Sequence, residues 1–250
     1  MAAKQNASIL GEAKPSKAII KLALPATLAL LAKAVYNIVD TAYIGMLKDD
    51  IALTAVGVTV PLLLIMVSIE NIFAAGAAVL AGRQLGAKDE DGASRTVTTI
   101  IGLSIVIGAI LCVGGIVFIE PLMRAFGASE ASLPLAKDYA FWMFVAALAN
   151  LPAQSMNCAA RAESSVKISS IAVITGALLN VVLDPVFMFE WGLGMGVEGA
   201  SLATTVSQFV TFFILAWFYL SGRSVIKLRL LLFKPFVLVN RVVQLGESVG

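Results

Sequence analysis

Apolar residues run along this chain in six long stretches, each closed by charges or by Gly and Pro. They cover Ala18–Met46, Leu53–Leu80, Thr96–Ile119, Tyr139–Ala160, Ile168–Phe189 and Gly199–Ser221. A helix needs about 20 mostly apolar residues to cross the hydrocarbon core of a bilayer, so each stretch predicts one transmembrane helix. The runs are far too long for barrel strands and lack their period-two alternation. The pattern therefore predicts an all-α membrane protein of six transmembrane helices. Residues 1–17 form a polar, mildly basic N-terminus, 18–221 the membrane region, and 222–250 a basic segment that leads toward a further span. Within that segment, residues 223–241 are basic and amphipathic, which predicts a linker lying at the membrane surface.

The polar residues inside the stretches fall on faces. In the first span Lys33, Tyr36, Asn37 and Asp40 follow i, i+3, i+4, i+7, which is one side of a helix. Asn150, Gln154 and Asn157 do the same in the fourth span, and Arg161 continues the line. Asn180 and Asp184 are one turn apart in the fifth, and Ser201, Thr204, Thr205 and Gln208 form a stripe in the sixth. Lipid tails cannot satisfy these groups, so the stripes predict inward faces around a wet central cavity. Hydroxyls and amides also simply bond across helix interfaces, and for the sixth-span stripe that reading stands level with the first. The aspartates are different. A carboxylate at bilayer depth costs roughly 2.5–3.5 kcal/mol on insertion scales, and the local pattern has no need of the charge for folding. Asp40 and Asp184 are therefore candidates for an ion, proton or substrate pathway. Pro185 follows Asp184 and has no amide hydrogen, which predicts a kink and freed carbonyls near the carboxylate. Lys33 and Glu70 are candidates for a buried ion pair.

Composition narrows the class. Hydrophobic residues make up 59% and charged residues 14%, against about 25% charged in soluble domains, and mean hydropathy is +0.93. The lipid bilayer is thus one partner, and nucleic acid is not expected. There is no histidine, which removes histidine metal sites and histidine proton relays; no metal is expected beyond a sodium ion. Cys112 and Cys158 lie in apolar runs and read as small buried hydrophobes. Fourteen of the 18 Lys and Arg fall on the side of the N-terminus, the second and fourth loops and the tail. By the positive-inside rule that side is cytoplasmic. The first span carries no cleavage signature and reads as a retained span that also targets the chain to the cell membrane. Oxygen ligands from Asp, Asn and Thr suit a hard cation such as sodium, and a buried carboxylate also suits a proton; the residues leave both open.

Five pieces carry a family resemblance: Tyr36–Gly45 (YNIVDTAYIG), Arg83–Ala87 (RQLGA), Arg161–Glu163 (RAE), Asn180–Pro185 (NVVLDP) and Gly199–Thr204 (GASLAT). Together, in this order, they resemble the multidrug and toxic compound extrusion (MATE) family of secondary transporters. The resemblance implies the N-terminal six-helix lobe of a two-lobe, twelve-helix antiporter. It also implies export of small organic, often cationic compounds driven by inward movement of H+ or Na+, with no other cofactor. Carried over by position, Asp40, Asn180, Asp184 and Thr204 match the family's N-lobe cation-binding positions. Tyr139 and Asn157 resemble residues lining the same cavity, beside Tyr36, Asn37, Asn150, Gln154 and Gln208. The C-terminal lobe is not within these 250 residues; the expectation is a fragment of a longer chain, the alternative a half-size protein that pairs with a second copy. Competing readings are a flippase or exporter of a lipid-linked or anionic precursor, whose cavity would need cationic side chains, and a non-transporting structural membrane domain. An enzyme is not expected, because the chain shows no catalytic motif.

Overall fold

The computed structural model describes residues 15–228, and side chains from Ala23 onward. Among these residues the chain is helical throughout, with α1 Pro15–Met46, α2 Asp50–Gly86, α3 Glu90–Val117, α4 Ile119–Ala125, α5 Leu133–Ala162, α6 Val166–Met188 and α7 Val197–Leu220. All six expected spans are long helices. Five of them, α1 from Ala23, α2, α3, α6 and α7, are long and apolar enough to cross a membrane by length and composition. The sixth, α5, carries the amide ladder that lowers its hydropathy. It also has the least need of apolar surface, because α2, α3 and α7 pack around it. A helix enclosed by protein meets side chains where its neighbours meet lipid.

The helix starts follow local chemistry. Asp49 caps α2, its carboxylate accepting from the amides of Ile51 and Ala52 at 2.9 and 3.1 Å, and Asp89 caps α3 by accepting from Gly92 at 2.8 Å. The structure adds two features to the sequence pattern. The first is α4, a short helix whose Arg124 pairs with Glu120 and Glu130 while Lys137 of α5 pairs with Glu120. The exposed cations hold Glu120 and Glu130 below the usual carboxylate range. The second is the segment after α7. Of the amphipathic linker expected over 223–241, the described part has no helix; residues 229–250 lie outside the described residues, as do residues 1–14. Ser224 Oγ, Val225 N and Ile226 N all donate to one oxygen of Glu163 at 2.7, 3.1 and 3.2 Å, and Lys227 N donates to Ser94 Oγ at 3.0 Å. Ile226 is fully buried in the cluster formed by Val97, Met156, Leu215 and Phe218. The segment is therefore a strap docked across the ends of α3 and α5. Burial pushes the Glu163 carboxyl up, against the lowering effect of the bonds it accepts from Ser224 and Ile226.

The first helix stands apart. It packs chiefly on α6 and touches α2 and α7 at few points, and its Leu24, Leu31 and Ile38 are exposed. Its polar stripe is thus held to the bundle mainly through α6, the helix that carries Asp184.

Candidate functional site

The site begins with a one-turn spacing. Asn180 and Asp184 lie on the same face of α6, 2% and 0% exposed. The Asn180 amide donates to Asp184 Oδ1 at 2.9 Å and to Thr204 Oγ1 of α7 at 3.2 Å. Both amide hydrogens are thereby spent, and the other oxygens are left over. Asn180 Oδ1, Asp184 Oδ2 and Asp40 Oδ1 are buried and receive no hydrogen bond. Asp40, on α1, is close enough to Asp184 for the two charges to act on each other. Pro185 lies inside α6, so the carbonyl four residues earlier, of Val181, receives no amide hydrogen from it. Buried acceptors without donors are costly, and two neighbouring carboxylates more so. What such a cluster accepts well is a proton or a hard cation.

Beside it, α1, α5, α6 and α7 enclose a cavity of about 280 Å³. Tyr36, Asn150, Gln154, Asn157 and Gln208 line it, as expected residues brought together. Asn180 and Thr204 line it too, so they stand between the cavity and Asp184. Sequence reasoning missed Ser169, Ser170, Ser207 and Thr211 of the same wall. Hydroxyls are so common in spans that no pattern singles these out. The wall depends on Gly176: a Cβ there would collide with Thr211 Oγ1 and stand 3.2 Å from the Ser207 carbonyl oxygen, so only glycine lets α6 and α7 approach this closely.

Three expectations need correction. Asn37 is exposed and does not line the cavity; at about 100° per residue it stands at one edge of the stripe and Tyr36 at the other, and the cavity lies on the side of Tyr36 and Lys33. Tyr139 is also absent from the lining and packs with Ile44, Met188 and Val197, within electrostatic range of Asp40 and Asp184. Lys33 and Glu70 form no ion pair among the described residues. Lys33 is exposed at the cavity, while Glu70, 7% exposed, accepts from the Asn150 amide at 2.5 Å. The reason is that α1 scarcely touches α2, whereas α5 packs along it. The sixth-span stripe divides. Ser201 donates to the Glu198 carbonyl, and Thr205 to the carbonyls of Trp142 and Ser201, while Thr204 and Gln208 face the cavity. Replacing Asn150 by Leu strips Glu70 of its donor. The expected loss is about 1.5–3 kcal/mol, read as a lowered midpoint of thermal unfolding, and Glu70→Met in the same chain should recover most of it.

Known proteins are similar to this chain. A family model described as MatE matches residues 25–186. The multidrug export protein MepA of Staphylococcus aureus (strain MRSA252) is 28% identical over 219 residues, which is 88% of this chain and 48% of MepA. An FAD transporter of Shewanella oneidensis is 29% identical over 198 residues, 78% of this chain and 43% of its own length. Among solved structures, a MATE crystal structure in complex with MaL6 superposes with a TM-score of 0.84 at 28% identity, over 91% of this chain and 50% of that one. The chain spans about half the length of the curated relatives it matches.

Proposed function

Given that the chain belongs to the MatE family, we propose that it is one six-helix lobe of a cation-coupled exporter of small organic compounds. It is a multi-pass membrane protein. As a secondary transporter it would work without catalysis, with a second lobe supplied by the rest of a longer chain or by a second copy. The loops richer in Lys and Arg, with the N-terminus, would face the cytoplasm across the cell membrane.

One observation carries the coupling. Three buried oxygens, on Asp40, Asn180 and Asp184, have no donor. A sodium ion arriving from outside could take all three as ligands, while a proton would neutralise one carboxylate and make it a donor to one of the other oxygens; either would join α1 to α6. Because α1 is held mainly by α6, that joining can shift α1 against the cavity it lines and expel the occupant. Release of the cation on the other side resets the helix. The coupling free energy is the difference in cation affinity between the two states. Asp184 and Asp40 bind the cation, Thr204 and Asn180 position it, and the amide ladder of α5 meets the cargo.

The test is thermal unfolding of the purified chain in detergent, with sodium or potassium at equal ionic strength, at several pH values. A site-bound cation stabilises by mass action, about 2.7 kcal/mol at a hundredfold excess over Kd. Stabilisation by sodium over potassium marks sodium coupling. A pH-dependent midpoint that sodium leaves unchanged marks proton coupling. A midpoint indifferent to both removes the coupling reading.

A further inference from the structure

We propose, resting on the exporter reading above, that the cavity between α1, α5, α6 and α7 binds an amphipathic organic anion, a carboxylate or phosphate on an apolar body. Its lining holds two charged residues, Lys33 and Arg161, and both are cations. No Asp or Glu belongs to the lining; Glu70 and Asp184 accept from the lining residues Asn150 and Asn180 without belonging to it. The usual expectation of a cationic cargo runs against this arrangement, because an organic cation in the cavity would meet two like charges and no direct counter-charge.

Neither cation sits in an ion pair: among the described residues the ion pairs all involve Glu120, Arg124, Glu130 and Lys137. Arg161 donates to Asn157 Oδ1 and to Cys158 Sγ, each at 2.7 Å. Both acceptors are neutral, so they orient the guanidinium without cancelling its charge. Lys33 stands near enough to Glu70 to feel its charge, but the Glu70 carboxylate already accepts from Asn150, and it is Lys33 that reaches the cavity.

The wall between the two cations is built for an anion with a body. Asn150 and Arg161 are eleven residues apart on α5, a rise of about 16 Å. Lys33, close to the Glu70–Asn150 pair, and Arg161 therefore stand toward opposite ends of the amide ladder. Ser207 Oγ is buried, its residue 4% exposed, lines the cavity and has no hydrogen-bond partner. A hydroxyl in that state is a donor waiting for an acceptor. Ala26, Ala29, Val173 and Ala177 give the apolar surface, and a cavity of about 280 Å³ holds a fused-ring aromatic. Arg and Lys together with a hydroxyl recognise carboxylate and phosphate oxygens alike.

A matched pair of probes decides the charge preference: naphthoate and naphthyltrimethylammonium, titrated by calorimetry into the purified chain in non-ionic detergent. Naphthoate is expected to bind at least about tenfold tighter. One carboxylate reaches one of the two cations, so Lys33→Gln or Arg161→Gln, whichever marks the end at which it sits, should weaken it roughly fivefold or more, Ser207→Ala should weaken it roughly threefold, and at the Arg161 end Arg161→Lys should cost less than Arg161→Gln. Unfolding midpoints confirm that each variant is folded, and the wild-type preference alone decides the matter if one is not. Equal or tighter binding of the cationic probe overturns the proposal, as does naphthoate binding that neither Lys33→Gln nor Arg161→Gln alters. The sodium and pH response of the same wild-type chain is read separately. If that response is absent while the naphthoate preference holds, the coupling reading fails and the anion site stands. If the response is present and the preference absent, the anion site fails alone. Competition separates two sources of the same chemistry. Displacement by dihexanoylphosphatidylglycerol but not by hexyl phosphate identifies a lipid headgroup, and the reverse a soluble anion.

Discussion

Asp184→Asn is expected to abolish the response of the chain to sodium, and the part of its response to protons that Asp184 carries, while raising its stability in their absence. Asp184 is fully buried; one of its oxygens accepts from Asn180 and the other has no donor. Asp40 adds a like charge nearby. On the proposed coupling, a bound cation or proton would relieve this cluster of unpartnered acceptors. An amide at 184 removes the charge, ends the repulsion, and brings a donor group into a site with two further unpartnered acceptors, Asn180 Oδ1 and Asp40 Oδ1. Relief of an unsatisfied buried acceptor is worth about 1–3 kcal/mol, and 1 kcal/mol moves the midpoint of a chain this size by about 2–4 °C. Without added cation the variant should melt a few degrees above wild type, its midpoint should stay flat across the sodium series, and its pH series should lose the part that Asp184 carries, leaving the part due to groups such as Glu163. Asp40→Asn, acting on one orphan oxygen at a less enclosed position, should reduce the response without abolishing it. A variant Asp184→Asn that keeps the full wild-type response would show that the cation binds elsewhere.

Gly199→Ala is expected to part α6 from α7 and to lower the stability of the lobe strongly. Gly199 is the third residue of α7. A Cβ there would lie 2.6 and 2.7 Å from the carbonyl carbon and oxygen of Phe187 and 2.9 Å from Met188 N. These are backbone atoms at the end of α6, and no rotamer change moves them. The loop between the helices cannot give either. Leu193, Met195 and Gly196 donate to the carbonyls of Val186, Phe187 and Met188 at 2.8, 2.9 and 3.0 Å, so the loop is wound back onto α6. The clash must be met by parting the two helices, at a cost of about 3 kcal/mol or more, a fall in midpoint of roughly 6–12 °C. Parting them also stretches the 3.2 Å bond from Asn180 to Thr204, five residues further along α7. The cation response should therefore weaken together with the midpoint. An unchanged midpoint would mean that the helices are not in contact at this point.

The sequence carried a good deal of this. Uninterrupted apolar length has one solution in a bilayer, a helix whose backbone bonds close on themselves, and so the six long helices could be read from the apolar runs, although α5 falls short of the other five in hydropathy. The aspartates and the amide ladder stood out because large polar groups are expensive at that depth. Position by position, Asn180 and Asp184 sit one turn apart whatever surrounds them, and the structure sets them against Thr204. Less legible were features whose cause lies on another helix. Ser201 and Thr205 belong to the same stripe as Thr204 and Gln208, yet they turn to the Glu198 and Trp142 carbonyls and not to the cavity. A stripe fixes which side of α7 is polar; the neighbour fixes which edge of that side is open.

The long helices, the polar faces and the acidic residues were thus determined by the sequence by itself, because they follow from local periodicity and the cost of burying polar groups in lipid. Only the tertiary structure decided the partners: Asn150 for Glu70 in place of Lys33, Glu163 for the strap at Ser224–Ile226, and a cavity wall whose charges are both positive and which holds no carboxylate. Those outcomes depend on which helices touch and how closely small residues let them approach, and that is a property of the packed bundle and of no single segment.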